Sequence, residues 1–144
     1  MLRIVFAALL LCATPVFGGE EIWSAMVLAS NPAEGKQPDA PPAELAPYAK
    51  RLTKIFGYEQ FEILGSASKA MGRGEQERWL VPSPTFMLGA QARLDRGGYL
   101  LSLELYQEKR RLLQTEARLG ISSPLFICGP KHSRGQLIIV LEIR

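Results

Sequence analysis

The sequence has little cysteine and little histidine. It contains two cysteines and one histidine in 144 residues. A disulfide-dense mini-protein needs several cysteine pairs, so that class is excluded. A zinc site needs three or four protein ligands. Cys128 and His132 lie four positions apart with no carboxylate cluster beside them in sequence, so we expect neither a metal ion nor a cofactor.

The sequence also lacks a strong charge of either sign. Seventeen basic and fourteen acidic residues give a net charge of +3 at pH 7. Two short clusters of basic residues lie in predicted turns, at 109–111 and 131–134, without interleaved aromatic residues. That pattern argues against a nucleic-acid partner. Hydrophobic residues make up 47% and charged residues 22% of the chain, which is the balance of an ordinary globular domain.

No apolar run has the length of about 20 residues that a membrane-spanning helix needs. The run Ile4–Leu11 follows the charged start Met1-Leu2-Arg3 and precedes Pro15 and a small-residue site ending at Gly18. This layout predicts a secretory signal peptide over residues 1–18. Two alternatives are a retained membrane anchor and a lipoprotein beginning at Cys12. The bulky Leu11 disfavours the second, because such processing favours a small residue there.

The remainder, residues 19–144, is predicted to be a single soluble domain in the periplasm or outside the cell. Its first segment, Ile22–Ser30, is apolar on both faces, as a buried strand is. The next, residues 31–42, contains four prolines and predicts a Pro-rich loop. A helix that begins at Ala43 or Glu44 is predicted to follow. Its apolar residues recur at helical spacing: Leu45, Tyr48, Ala49, Leu52 and Phe56.

After Gly57 the apolar residues recur at every second position, which predicts strands. The segment Asp95-Arg96-Gly97-Gly98 predicts a tight hairpin turn. Residues 65–76 are predicted to be a long turn or a ragged hairpin, and residues 129–135 a longer hairpin loop. Short loops between successive strands favour antiparallel pairing. We therefore predict an α+β fold that is mostly β, with a curved or sandwich-like antiparallel sheet of six to eight strands and one packed amphipathic helix.

Candidate catalytic motifs are incomplete. Ser66-Ala67-Ser68-Lys69 matches S-x-x-K, but the companion motifs of the serine enzymes that use it are missing. The Gly72-Arg73-Gly74 segment lacks the later glycine of a phosphate-binding loop. Glu104 and Glu116 face outward on adjacent predicted strands, which indicates a charged surface.

Three further residues are candidates by their chemistry alone. We expect Cys128 to be inert core in an apolar strand and His132 to be a solvated loop residue. For Trp79 we expect packing in the core rather than a surface aromatic for binding. We assign no catalytic, cofactor-binding or metal-binding residue and expect a protein that is not an enzyme.

Three stretches resemble a type of small, uncharacterised exported bacterial protein, and that resemblance implies no particular activity. They are residues 26–31, residues 52–64 around Phe56-Gly57-Tyr58, and the ending from Pro124 to Val140. The ending is also similar to paired strands in the β-domain of secretins, the outer-membrane secretion channels. The length and the several N-terminal domains of a secretin are absent from this sequence, so its channel function is not carried over.

Two classes of function remain. The first is a non-catalytic envelope or periplasmic module for binding or assembly, whose partner is another envelope protein paired at an exposed sheet edge. The second is a small-ligand carrier or an enzyme whose site is assembled from distant residues. A carrier would show a deep apolar cavity inside the sheet, and an enzyme would show convergent polar groups with shifted pKa values.

Overall fold

The structure of the chain is a computed structural model that describes residues 20–72 and 76–144. The predicted signal peptide and most of the Gly72–Gly74 segment lie outside these residues. In chain order, the elements are β1 (Glu21–Ser30), a 3₁₀ turn (Ala46–Tyr48), α1 (Ala49–Phe56), β2 (Gln60–Ala70), β3 (Gln76–Pro82), β4 (Phe86–Asp95), β5 (Gly98–Gln107), β6 (Arg110–Gly120), β7 (Leu125–His132) and β8 (Gly135–Ile143). Within the described residues, no helix is long and apolar enough to cross a membrane.

The described residues form eight strands in two antiparallel four-stranded sheets. Sheet A has the strand order β2-β1-β8-β7, and sheet B has the order β3-β4-β5-β6. The prediction of an α+β fold that is mostly β and antiparallel is confirmed. The expectation of a single sheet of six to eight strands is wrong, because the four consecutive strands β3 to β6 pair only among themselves and pack on the other four as a second layer.

Sheet A is covered on both faces, which explains why two of its strands are apolar on both sides. Its face toward sheet B buries five large apolar side chains and the polar Ser24: the apolar ones are Ile22, Met26, Leu137, Ile139 and Leu141. The opposite face, under the helix, buries Trp23, Ala25, Val27, Ile138 and Val140. The prediction that such strands are central or covered by the helix is therefore confirmed for β1 and β8.

The helix is shorter than predicted and begins later. The 3₁₀ turn contains Pro47 and precedes α1, whose first residue is Ala49 rather than Ala43 or Glu44. Proline lacks the amide hydrogen that a helix interior needs, so the chain tightens into a 3₁₀ turn before the α-helix starts. Gly57 ends the helix with a φ of 80°, and its amide donates to the Thr53 carbonyl at 2.9 Å.

The predicted apolar stripe of this segment does pack on sheet A. Leu45 and Leu52 are fully buried and Tyr48 nearly so, while Phe56 is partly buried against the same cluster. Tyr48 meets Phe126 of β7 edge to face, with ring centroids 6.0 Å apart. The charged side of the helix also stabilises this packing, because the Arg51 guanidinium makes a cation–π contact with the Tyr48 ring, 5.4 Å from its centre.

The layer between the two sheets is filled mainly by aliphatic side chains. Sheet B contributes alternate residues of β4 and β5, and Leu119 of β6. The fully buried members from β4 and β5 include Leu88, Leu101 and Leu105. The outward-facing positions of the same strands are mostly polar or small, as the period-two pattern predicts.

Two predicted loops are strands in the structure. Residues 65–70 continue β2 instead of forming a long turn, and residues 129–132 continue β7 instead of a hairpin loop. Gly65 stands at a β-bulge, and a side chain there would collide with the Pro82 carbonyl of β3. Glycine at this position therefore reflects the close approach of two strands rather than a turn.

Candidate functional site

The two best sequence candidates for chemistry, Cys128 and His132, do not form a site. Cys128 is exposed, so the expectation that it is buried core is wrong. His132 ends β7 and meets the Phe86 ring edge to face at 4.9 Å, so it is a packing residue rather than a solvated loop residue. Among the described residues, no group of three His, Cys, Asp or Glu side chains is placed to hold a metal ion.

The S-x-x-K motif lies on strand β2. Ser66 pairs with Ala25 and Lys69 with Ile22 of β1. Neighbouring side chains of a strand alternate between its faces, so residues three apart point to opposite sides of the sheet. The Lys69 ammonium instead lies 3.8 Å from the Glu77 carboxylate. The lysine therefore has no geometry for activating that serine.

Trp79 packs against the inter-sheet core, as expected, and also makes a specific polar contact. Its indole N–H donates to the Ser24 hydroxyl at 3.1 Å. Ser24 is fully buried on β1, so this hydrogen bond links sheet B to sheet A.

The broad polar surface of the sandwich is the outer face of sheet B. Its registered rows run from β3 across β4 and β5 to β6. These rows are Pro82–Met87–Tyr106–Arg111, Leu80–Gly89–Glu104–Gln114, Arg78–Gln91–Ser102–Glu116 and Gln76–Arg93–Leu100–Arg118. Glu104 and Glu116 both belong to this face, which agrees with the charged surface that the sequence predicts.

Glu104 is held in place by two neighbours. Its carboxylate accepts a hydrogen bond from the Tyr106 hydroxyl at 2.6 Å and lies 3.9 Å from the Arg111 guanidinium. The hydrogen bond to Glu104 is the main reason that the pKa of Tyr106 is raised. The Glu104 carboxylate is therefore engaged by these groups, and it lies in a different row from Glu116.

A groove crosses this outer face where the side chains are smallest. A depression of about 440 Å³ lies over Gly89, with Leu80 and Glu104 among its walls. A second depression of about 180 Å³ shares Gln91 and Ser102 with the first and extends along the face toward β6. Together they form one open groove with polar and apolar walls.

Four strands stand at the sheet edges, and three of them are shielded. In sheet A, β7 carries Pro130 and a bulge between Cys128 and Lys131. The other edge strand of sheet A, β2, contains a bulge and lies against β3 at the corner of the sandwich. In sheet B, the edge strand β3 ends at Pro82. Proline and bulges are common ways to prevent pairing at a sheet edge.

Strand β6 is the edge with the longest uninterrupted pairing, because its bulge lies near its start, between Arg111 and Leu113. It contains no proline, and its pairing with β5 is regular from Leu113 to Gly120. Its outward-facing residues Gln114, Glu116 and Arg118 are exposed. Such an edge offers unpaired backbone groups to another strand.

The register shows which backbone groups of β6 point away from the sheet. Arg96 and Gly97 both have positive φ, as in a two-residue type I′ turn between β4 and β5. The residues on either side, Asp95 and Gly98, therefore form the hydrogen-bonded pair that closes this hairpin. Hydrogen bonding alternates along a strand, so Tyr99, Leu101 and Leu103 direct their backbone groups toward β6.

The partners of these three residues on β6 are Leu119, Ala117 and Thr115, which use their backbone groups within the sheet. The alternate residues of β6, at positions 114, 116 and 118, therefore direct their backbone groups away from the sheet. Residues 114, 116 and 118 of β6 therefore present both free backbone groups and exposed side chains.

Comparison with protein-family models, curated proteins and solved structures finds no match for this chain. The resemblances to small exported bacterial proteins and to the secretin β-domain stay predictions.

One signal for the groove was present in the sequence. Gly89 interrupts an otherwise alternating strand, and an isolated glycine in a strand often marks a bulge or a close approach. The free edge of β6 had no such signal, because strand order depends on contacts between distant segments.

Proposed function

We propose that the chain is an exported, non-catalytic module that binds an extended segment of another envelope protein along the edge of β6. The observation that carries this proposal is the regular, proline-free edge from Leu113 to Gly120. Added strands are held by main-chain hydrogen bonds, and the side chains of the edge select the partner.

The exposed side chains beside the free backbone groups give this edge its selectivity. Glu116 and Arg118 carry opposite charges, and the Arg118 guanidinium lies 3.4 Å from the Asp95 carboxylate. Charges at an edge oppose indiscriminate pairing. A partner strand with complementary charges would satisfy both the backbone groups and these side chains.

Site-directed photo-crosslinking in cell-envelope fractions tests the proposal. A photoreactive residue replaces Gln114 on β6 in one variant and Lys131 on the shielded β7 edge in the control. We expect an adduct of one defined mass from position 114 and none from position 131. Equal adducts from both positions, or an adduct from position 131 alone, would contradict binding at β6.

Export is supported by the charged start, the short apolar run and the small-residue site of the N-terminal sequence. N-terminal sequencing of the protein recovered from the envelope or the medium is expected to begin at Gly19. Recovery of a protein that still starts at Met1 would contradict cleavage.

A further inference from the structure

Gly89 forms the floor of the groove on the outer face of sheet B, although the backbone there has room for a larger residue. A Cβ atom at Gly89 would lie 3.8 Å from the Glu104 carbonyl oxygen and 3.9 Å from a Leu80 methyl carbon. Both distances are ordinary van der Waals contacts. Glycine weakens the interior of a strand, so its effect at this position is to keep the groove open.

One end of the groove is apolar. The Leu80 side chain is 61% exposed and stands across from Gly89, and Met87, the next outward residue on β4, is 37% exposed. Exposed apolar side chains that adjoin one another mark a binding surface more often than scattered ones do. An apolar side chain of a ligand would cover Leu80 from water.

The other end of the groove is cationic on its β3 and β4 side. Arg78 and Arg93 lie on these neighbouring strands and are exposed. Among the described residues, the ion pairs formed by arginines of this face involve Arg111 and Arg118 instead. Glu116 lies on β6, three strands across from Arg78. A carboxylate of a ligand would therefore be attracted to the β3 and β4 side.

Amide side chains stand between the two arginines. Gln76 is paired with Arg93, and Gln91 with Arg78, in the register of β3 and β4. Each glutamine amide provides both donors and an acceptor. These groups suit the backbone of an extended peptide, which presents donors and acceptors in alternation.

We propose that this groove binds an extended peptide segment of a partner protein that carries an apolar residue and, two positions along, an acidic residue. The apolar side chain lies over Gly89 against Leu80, and the carboxylate lies between Arg78 and Arg93. Two positions is the spacing that puts both side chains on one face of an extended chain. The residues that would hold this peptide lie on β3 and β4, with β5 between them and the β6 edge, so the test of the groove does not depend on that edge.

The probe is a capped threonine-rich hexapeptide with leucine and aspartate two positions apart. Two control peptides replace the aspartate with lysine, or place leucine and aspartate side by side. Amide chemical shifts of the protein in its exported form are followed during each titration. We expect the probe alone to shift amides of β3, β4 and β5 around the groove, with weaker binding at higher salt.

Three variants locate the site. We expect Gly89→Val, which fills the groove, and the double change Arg78→Gln with Arg93→Gln each to weaken probe binding by about tenfold or more. Arg110→Gln, at an exposed arginine outside the groove, should leave it unchanged. The arginine variants keep the test valid if Gly89→Val does not fold.

Several outcomes would overturn the proposal. They are equal binding of the aspartate and lysine peptides, shifts confined to other surfaces, or unchanged binding in the arginine double variant. A dimer in solution that Gly89→Val dissociates would assign the groove to a second copy of the chain instead. Gln114→Pro, which blocks the β6 edge, should leave peptide binding in the groove intact, so the two proposals fail separately.

Discussion

The indole N–H of Trp79 and the hydroxyl of Ser24 form a hydrogen bond of 3.1 Å between the two sheets. Ser24 is completely buried, while Trp79 is partly exposed at the edge of the inter-sheet core. A buried hydroxyl without a partner would destabilise the fold, and the indole supplies that partner. The pair therefore fixes how β3 of sheet B sits on β1 of sheet A.

Ser24→Ala and Trp79→Phe should each remove this hydrogen bond. Because a typical intramolecular hydrogen bond contributes about 0.5–1.5 kcal/mol, we expect Ser24→Ala to lower the free energy of unfolding by that amount. Trp79→Phe should cost more, since it leaves the buried Ser24 hydroxyl unpaired. Chemical denaturation of both single variants and the double variant measures the coupling, and strictly additive effects would contradict a direct interaction.

Leu52→Ala should destabilise the protein strongly. Leu52 is fully buried between α1 and sheet A, and such a truncation costs about 2–5 kcal/mol. Ile55 lies on the same helix and is 59% exposed, so Ile55→Ala is the matched control with an expected change within about 0.5 kcal/mol. Equal effects in denaturant titrations would show that α1 does not pack as described.

Tyr99 should make the fold sensitive to alkaline pH. Burial, and then the 2.6 Å hydrogen bond to Glu20, raise the pKa of Tyr99 from 10.0 to about 12. The folded state favours the neutral phenol, so this stabilisation is complete below pH 10 and is lost as the pH rises from 10 to about 12. Tyr99→Phe should flatten the fall of unfolding free energy over that interval, and an unchanged slope would contradict the assignment.

Cys128 and His132 should be dispensable for chemistry. Cys128 is exposed, so its thiol is expected to react with a thiol reagent in the folded protein, and Cys128→Ser should change stability by less than about 0.5 kcal/mol. His132→Ala should cost about 0.5–1.5 kcal/mol because it removes the aromatic contact with Phe86. Stoichiometric zinc in the wild type that the double variant loses would contradict this account.

The local pattern predicted most of the elements because the apolar period depends only on neighbours in the sequence. That period predicted the strand Ile22–Ser30, which is apolar on both faces, and the apolar helix face that contains Leu52. Turn chemistry predicted the turn at Arg96-Gly97. Their positions in the structure agree, with α1 and sheet B covering the two faces of sheet A.

The errors arose where contacts between distant segments override local composition. Glycine and serine in residues 65–70 predicted a turn, but the pairing with β1 and the approach of Pro82 to Gly65 make them a strand. Gly129 and Pro130 predicted a loop, yet the Gln136 amide donates to the Gly129 carbonyl and supports a bulged strand. The open edge of β6 depends on strand order, which the local pattern does not determine.

The most direct test of binding at β6 compares Gln114→Pro with Gln114→Ala, using the envelope protein identified by crosslinking. Proline removes a backbone amide that points away from the sheet, whereas alanine keeps it and changes only an exposed side chain. Calorimetric titration of each folded variant is expected to show affinity about tenfold or more below wild type for Gln114→Pro and near wild type for Gln114→Ala. Wild-type affinity in a folded Gln114→Pro variant would contradict edge binding.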